Sequence, residues 1–191
     1  MLDSRIELET RPTKPFANEL TIINAAREDP KAFGELYLMY VRRIFRYLYS
    51  RIRNVEEAED VTTQTFMAAF ESFPKFREKE HFASWLFMIA RNKAMDHFRY
   101  GKNLPSLEEI DEIPIEFDPL SGVIRAEQAA ALAKLVEVLP DKDRELLRLR
   151  FLGEMTFTEI AHLLHKNEEA VKKSIYRLLA RLHSQLEVSN E

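Results

Sequence analysis

The residues best suited to chemistry in this chain lie in "HFASWLFMIARNKAMDHFR", residues 81–99, where aromatic rings alternate with cations along one predicted helix. Bases of single-stranded nucleic acid stack on aromatic rings for about 1–3 kcal/mol each, and cations bind the phosphates. We expect most of the rings, Trp85 among them, to be core. The polar edge of the helix and the basic loop before it form a candidate nucleic-acid site, which consists of Lys75, Arg77, Lys79, His81, Arg91, Asn92, Lys93 and Arg99.

A second candidate site is the segment 155–182, "MTFTEIAHLLHKNEEAVKKSIYRLLARL". Thr156 and Glu159 have the spacing of a capping box for a short helix, and Asn167 can cap a longer one after the turn "HKN". A helical apolar repeat predicts a buried stripe of Val171, Ile175, Leu178 and Leu182. The opposite face is basic and includes Lys172, Lys173, Tyr176 and Arg177. Such a face suits the major groove of DNA; the alternative is a solvated face in an ordinary bundle.

The turn between these two helices contains His165, where many turns of this kind carry Gly. Histidine adopts left-handed geometry at modest cost, so we expect the turn to form. Glu159, His162 and His165 also recur every three residues and could bind a metal ion, although a helix surface leading into the turn is the favoured interpretation.

Composition narrows the class of protein. The chain has 191 residues, 46% of them hydrophobic and 31% charged, with a net charge of −4, so nucleic-acid binding must come from local patches. It has no cysteine, which excludes disulfides, thiolate metal sites and cysteine nucleophiles. The start of the chain lacks the apolar segment of a secretory signal, and the longest apolar run, 82–90, is about half the length that spans a bilayer. We expect a soluble, cytoplasmic protein without membrane insertion.

The elements that position both sites are predicted to be helices, since glycines are few and no period-two alternation is sustained. Caps and breakers place helices from Asp29-Pro30 to about Arg53, from Asn54 to Pro74, and up to Gly101. Others start at Asp118-Pro119 and after Pro140. The expected fold is all-α, with two helical bundles joined by an acidic linker. The expected divisions are a flexible tail at 1–18, a first bundle at 19–100, the linker at 101–120, a second bundle at 121–187 and a tail at 188–191.

Charge is segregated into blocks in the first bundle. Five arginines without an acid, at Arg42, Arg43, Arg46, Arg51 and Arg53, are followed by four acids in "NVEEAED". The two blocks either bind different partners or neutralise each other between neighbouring helices, and the sequence does not favour one over the other.

In these segments the chain resembles a bacterial sigma factor of the small extracytoplasmic-function (ECF) group of the sigma-70 family. "DPKAFGELYLMYVRRIFRYLYSRI" is similar to the first helix of the family's region 2, and "AEDVTTQTFMAAF" to its polymerase-binding helix. "FASWLFMIARNKAMDHFR" resembles the helix that melts the promoter and reads the minus-10 element. Residues 139–182 resemble region 4, whose helix-turn-helix reads the minus-35 element. The resemblance extends from about Glu19 to Leu186.

The resemblance implies roles for individual residues. Asp60, Thr63, Gln64 and Phe66 match the motif that binds the polymerase clamp, but Thr63-Gln64 replaces the usual Gln-Glu or Gln-Asp pair and lacks its acid. Asn92 matches a reader of the minus-10 element, and the loop 73–84 matches the segment that captures a flipped base. The positions that match minus-35 readers are Asn167, Glu168, Lys172, Lys173, Tyr176 and Arg177.

The expected function is therefore that of an RNA polymerase sigma factor, responsive to a stress or signal and controlled by an anti-sigma factor. Its expected partners are core RNA polymerase and promoter DNA. No catalytic residue, cofactor, metal or small-molecule substrate is expected, because the chain has no phosphate-binding glycine loop, HExxH motif or nucleophile elbow. The alternatives are a stand-alone helix-turn-helix regulator and a sigma-like accessory that binds polymerase without melting promoters.

Overall fold

Helices account for all the regular secondary structure in residues 18–77, 81–100 and 131–189, the parts of the chain that this computed structural model describes. The N-terminal half contains α1 (Glu19–Glu28), α2 (Phe33–Ile52), α3 (Val55–Ser72) and α4 (Phe82–Tyr100), with 3₁₀ turns at Pro30–Ala32 and Phe73–Lys75. The C-terminal half contains a helical segment α5 over 131–137, then α6 (Asp141–Leu147), π-helical Arg148–Leu152, α7 (Phe157–Leu164) and α8 (Glu168–Ser189). The predicted all-α class is confirmed.

The helix boundaries follow the predicted caps closely. The Asn54 side chain accepts from the Glu57 backbone N–H at 2.9 Å at the start of α3, and Pro74 lies in the 3₁₀ turn that ends it. The reciprocal half of that capping box is missing, because the Glu57 carboxylate lies 3.1 Å from His97 Nε2 instead. The Thr156–Glu159 box has both halves, at 3.1 and 2.8 Å.

The first helix, α1, has no comparable signal in the sequence. Its preceding residue, Asn18, makes no capping hydrogen bond through its side chain. Burial of Ile23 and Ala26 against α2 holds the helix in place, together with a buried hydrogen bond from the Tyr40 hydroxyl to the Glu19 carboxylate. These contacts are tertiary, so a local pattern could not predict them.

Several predicted segments lie outside the described residues. These are the linker 101–120, the helix start at Asp118-Pro119 and nearly all of the tail 1–18. At the other end, α8 continues to Ser189, so its helical backbone extends two residues into the predicted tail at 188–191. Within the described segments, none of the helices combines the length and the apolar character that crossing a membrane takes.

One apolar core runs through both halves of the molecule. Its fully buried members include Leu36, Ile44, Leu48 and Phe87 from the N-terminal half and Leu149, Met155 and Ile160 from the C-terminal half. Burying a side chain of this size contributes about 1.5–3 kcal/mol. The halves meet where α4 packs against α7 and where α2 packs against the π-helical segment. The two bundles are thus in direct contact in this structure.

Candidate nucleic-acid interface

The polar edge of α4 lies on the surface, as expected for a nucleic-acid site. Asn92 and Arg99 are exposed, while Arg91 and Lys93 are half-buried. Two exposed methionines lie one turn to either side of Asn92, at Met88 and Met95. An exposed amide between flexible apolar side chains can contact both the edge and the face of an unpaired base.

The aromatic rings near the start of α4 pack mainly against one another. Ring centroids of Phe76 and Trp85 lie 5.0 Å apart, those of Phe82 and Trp85 5.5 Å apart, and Phe73 joins the same cluster. Phe82 and Phe87 are buried, whereas Phe98 is 40% exposed. The expectation that most of the rings are core is confirmed, which leaves few exposed apolar side chains, such as Phe98, on this helix.

The basic loop before α4 is only partly described. Lys75 and Arg77 are exposed and His81 is half-buried, whereas Lys79 lies outside the described residues. The His81 ring packs edge-on against His162 of α7, with centroids 4.5 Å apart. This member of the predicted minus-10 set therefore lies at the contact with the C-terminal half.

The helix-turn-helix has the predicted geometry. His165 ends α7 in the left-handed conformation, with φ 52° and ψ 47°, and the Lys166 N–H donates to the Ala161 carbonyl at 2.9 Å across the turn. The predicted buried stripe is confirmed, since Val171, Ile175, Leu178 and Leu182 are all buried. The turn therefore forms with histidine in the place of glycine.

The outer face of α8 presents the predicted cations to solvent. Lys173, Arg177 and Tyr176 are exposed, Tyr176 by 47%, and Lys172 is half-buried. The other two predicted readers already have roles inside the protein. Asn167 Oδ1 accepts from the Glu169 N–H at 2.8 Å as the helix cap, and the Glu168 carboxylate accepts from the Thr158 hydroxyl at 2.8 Å. The other four of the six positions thus lie together on the outer face of α8, three of them cations.

The predicted clamp-binding residues divide into two groups. Asp60, Thr63 and Gln64 are exposed along one side of α3. Phe66 is only 5% exposed, because its ring packs edge-on against Tyr37 with centroids 4.8 Å apart. In this structure its side chain belongs to the core and is not available to a partner. Along the exposed side the apolar surface comes from Met67 and Phe70, which are 59% and 48% exposed.

Three of the five arginines in the block, Arg43, Arg46 and Arg51, bind groups in the other half of the molecule. Arg43 donates to the carbonyls of Gly153 and Glu154 at 2.8 and 3.1 Å, and Arg46 forms an ion pair with Glu154 at 2.9 Å. Arg51 forms an ion pair with Glu145 at 2.7 Å. The ion-pair partners of Arg46 and Arg51, Glu154 and Glu145, come from the C-terminal half and not from the adjacent acidic block, as the neutralisation interpretation had it.

Burial perturbs the ionisation of groups in this contact. Burial and the neighbouring Glu145 carboxylate raise the pKa of Tyr47, whose hydroxyl donates to Glu145 Oε1 at 2.8 Å. Burial by itself lowers the pKa of Arg51, but Tyr47 and Glu145 outweigh it and raise the value. Burial and the adjacent Arg51 lower the pKa of Arg148. The contact is thus a buried charged cluster in which Glu145 is the central anion.

A second buried cluster lies where α1 meets the capping box of α7. Burial raises the pKa of Glu19, and repulsion from the Glu159 carboxylate adds to this effect despite the hydrogen bond from Tyr40. Glu159 itself is buried and serves the Thr156 cap. Among the described residues, no group of three or more His, Asp or Glu side chains is placed to hold a metal ion. The metal-site alternative at Glu159, His162 and His165 has no support from this geometry.

Sequence reasoning did not identify the residues of the inter-half contact. Glu145, Gly153 and Ser84 were not singled out within their motifs, yet the Ser84 hydroxyl donates to the Glu159 carbonyl at 2.8 Å and Gly153 lies against the Phe87 ring. The one available signal was the arginine block, which indicated a need for acidic partners without locating them.

Comparison with known proteins agrees with this architecture. The family model for Sigma-70 region 2 matches residues 36–103, and that for Sigma-70 region 4 matches residues 129–182. The chain is 35% identical to the ECF RNA polymerase sigma factor BldN of Streptomyces coelicolor, over 79% of this chain and 59% of BldN. It thus spans under two thirds of the length of that relative.

Two further proteins match over most of their own length. The ECF RNA polymerase sigma factor SigM of Bacillus subtilis is 30% identical over 78% of this chain and 91% of SigM. The solved structure of CnrH in complex with the cytosolic domain of CnrY has a TM-score of 0.60 at 25% identity, over 88% of this chain and 96% of CnrH. With two helical halves that match regions 2 and 4 in order, the chain belongs to the extracytoplasmic-function sigma factors of the sigma-70 family.

Proposed function

We propose that this protein is a promoter-specificity factor that binds core RNA polymerase and directs it to a set of promoters. The observation that carries the proposal is that two separate DNA-reading surfaces are exposed on one chain. One surrounds Asn92 on α4, and the other is the basic face of α8 with Lys172 and Lys173. A stand-alone regulator would need only the second surface.

The two surfaces divide the work of initiation. The face of α8 binds the minus-35 element as duplex, where its cations meet phosphates and Tyr176 reaches into the groove. The edge of α4 binds the minus-10 element as a single strand, where Asn92 reads a base edge between Met88 and Met95. Each surface binds weakly alone, and joining them on polymerase raises the effective concentration of the second contact.

The polymerase contact is proposed to lie on the exposed side of α3. Asp60 supplies its negative charge and Gln64 occupies the position where relatives of this type carry an acid. Met67 and Phe70 supply the apolar surface beside them. Asp60→Ala should weaken association with core polymerase, and Gln64→Glu should strengthen it, in a pull-down titrated with salt.

The division of the chain into a region 2 domain at 19–100, a linker at 101–120 and a region 4 domain at 121–187 is part of this proposal. It is supported by the positions of the two family matches. Control by an anti-sigma factor is a further part, and the complex of the similar protein CnrH with a cytosolic domain of CnrY supports it.

The test is run-off transcription with core polymerase, this protein and a pool of promoter fragments. Initiation should depend on the protein and fall at least tenfold for Asn92→Ala and for Lys172→Ala/Lys173→Ala. Lys142→Ala removes an exposed cation from α6 and is the matched control, which should leave initiation unchanged. Polymerase binding without initiation would support the accessory alternative, and duplex binding without polymerase association would support the plain regulator.

A further inference from the structure

The contact between the two halves contains a carboxylate with two side-chain partners across the interface. The Glu145 carboxylate, on α6, accepts from the Tyr47 hydroxyl at 2.8 Å through one oxygen and from Arg51 Nη1 at 2.7 Å through the other. Both partners lie on α2. The side chains of Arg51 and Glu145 are only 18% and 11% exposed. A pair so deeply buried is screened little by solvent, so its loss is felt strongly.

The surroundings of Glu145 make its negative charge necessary. Arg148 lies in the same cluster and donates to the Ser50 carbonyl at 3.2 Å, and burial together with the charge of Arg51 lowers the pKa of Arg148. Without the Glu145 charge, two half-buried cations, Arg51 and Arg148, would lie near each other without an anion between them. Removal of this one carboxylate therefore leaves this cluster without its central anion, while both cations remain.

We call the arrangement in which the two halves are in contact the closed form. If the function proposed above is correct, the closed form cannot bind both promoter elements at once. The two elements are centred about 25 base pairs apart, which at about 3.4 Å per base pair is roughly 85 Å along the duplex. A compact chain of this length has a radius of gyration of about 16 Å, so it is roughly 40 Å across. Asn92 on α4 and Lys173 on α8 stay exposed in the closed form. The obstacle is that the two surfaces are too close together to reach both elements, and not that they are covered.

We propose that Glu145 is the latch of a closed form that cannot engage a promoter, and that the halves separate only when its carboxylate releases Tyr47 and Arg51. This inference rests on the proposed function for its inhibitory consequence, but not for the existence of the latch. The closed form needs no second protein, because every group in the latch belongs to this chain.

The experiment uses thiol reactivity, because the natural chain has no cysteine. Ser84→Cys places a near-isosteric thiol where α4 meets α7, at a position only 5% exposed. Its rate of reaction with a thiol reagent reports how often the halves separate. Adding Glu145→Gln should raise that rate by about tenfold or more, since the central buried charge is lost. Asp143→Asn is the matched control, because Asp143 pairs with Arg181 within the same half, and it should leave the rate unchanged.

A second thiol separates opening from unfolding. Ala69→Cys lies fully buried in α3, inside the N-terminal half, and becomes reactive only when that half unfolds. Glu145→Gln should leave its rate within about twofold. An equal acceleration at both thiols would overturn the latch, because Glu145 would then support overall stability only. An unchanged rate at Ser84→Cys would overturn it as well.

Run-off transcription then decides the inhibitory role. Glu145→Gln should reach half-maximal initiation at a concentration several-fold lower than the natural chain needs. Faster separation of the halves with an unchanged concentration for half-maximal initiation would show that the latch does not inhibit initiation. That result would overturn the inhibitory part of the proposal. If neither protein supports initiation with any core polymerase, the proposed function fails, while the thiol rates still decide whether Glu145 holds the halves together.

Discussion

Arg43 binds the backbone of Gly153, although 110 residues separate them along the chain. Its Nε donates to the Gly153 carbonyl at 2.8 Å, and Nη2 donates to the next carbonyl, that of Glu154, at 3.1 Å. The guanidinium also lies 4.7 Å from the centre of the Tyr40 ring. We call these two hydrogen bonds from one guanidinium the Arg43 fork. Glu154 has a left-handed φ of 50°, which is unfavourable for glutamate, and the fork stabilises the turn that contains it.

Arg43→Lys tests how much this fork contributes. Lysine keeps the charge but cannot donate to two carbonyls in a fixed plane, so one carbonyl loses its partner. We expect the free energy of unfolding, measured by urea denaturation, to fall by about 1.5–3 kcal/mol. Arg42→Lys, on the exposed side of the same helix, should change it by less than about 0.5 kcal/mol. Equal effects of the two substitutions would contradict the role given to the fork.

Gly153→Ala tests the closeness of the two halves. A Cβ at this position would lie 2.7 Å from Cε1 of Phe87 and 2.9 Å from the Leu149 carbonyl oxygen, and neither can move without disturbing the core. Overpacking of this kind costs about 1–3 kcal/mol, so the urea midpoint should fall. Gly34→Ala is the matched control, because a Cβ on Gly34 would meet nothing within 4 Å in α2. It should stabilise the protein by about 0.5–1 kcal/mol. A stabilising Gly153→Ala would show that the halves are farther apart in solution.

The sequence could predict contacts between residues close together along the chain, but not contacts between residues far apart along it. Asn54, Thr156 and Asn167 are caps whose partners lie within three residues, so spacing alone located them. The stripe on α8 was equally visible, because a helical repeat depends only on its own helix. The partners of Arg43 and Arg51 lie about a hundred residues away, and no local pattern encodes that pairing.

The candidate site divides in the same way. The exposed side chains of Lys173 and Arg177 lie opposite a buried stripe, and periodicity alone predicted that position. Phe66 could not, because a motif match does not say whether a ring points to a partner or to Tyr37. Asn167 and Glu168 likewise face the turn, which only the folded backbone reveals.

Glu19→Gln tests the buried carboxyl cluster. Burial raises the pKa of Glu19 above the ordinary value of a glutamate, 4.5, so at a pH between the two values the folded state holds a proton that the unfolded state has released. Stability is therefore favoured below pH 4.5 and decreases as pH rises through the folded pKa. Glutamine cannot ionise, but its side-chain oxygen still accepts a hydrogen bond from Tyr40. The stability of the variant should therefore not decrease over this pH range, and the variant should be more stable than the natural chain at pH 7. Melting temperatures from pH 4 to 8 give the comparison, and parallel curves for the two proteins would contradict it.

His165→Gly tests the strain of the left-handed turn. The φ of 52° is unfavourable for histidine and has no steric cost for glycine, so removing the Cβ stabilises the folded turn. Glycine also raises the conformational entropy of the unfolded chain, which offsets part of this gain. We expect a net gain of about 0.5–1 kcal/mol in the free energy of unfolding. His162→Gly, in the last turn of the same helix, should instead destabilise, because that residue is helical and packs on His81. A loss of stability in His165→Gly would mean that the side chain contributes contacts that outweigh the strain.

Lys172→Ala/Lys173→Ala tests the basic face of α8 through its dependence on salt. Each phosphate contact releases counterions and adds about 0.9 to the slope of log K against log salt for duplex DNA. If both lysines bind phosphates, the double variant, loaded on polymerase, should bind a minus-35 fragment with a slope smaller by about 2. Lys142→Ala should leave the slope unchanged. Both lysines lie on the surface of a helix whose stability depends on its opposite, buried stripe, so the melting temperature should stay the same. A weaker affinity with an unchanged slope would mean that these lysines contact bases instead of phosphates, and an unchanged affinity would mean that they do not contact the DNA.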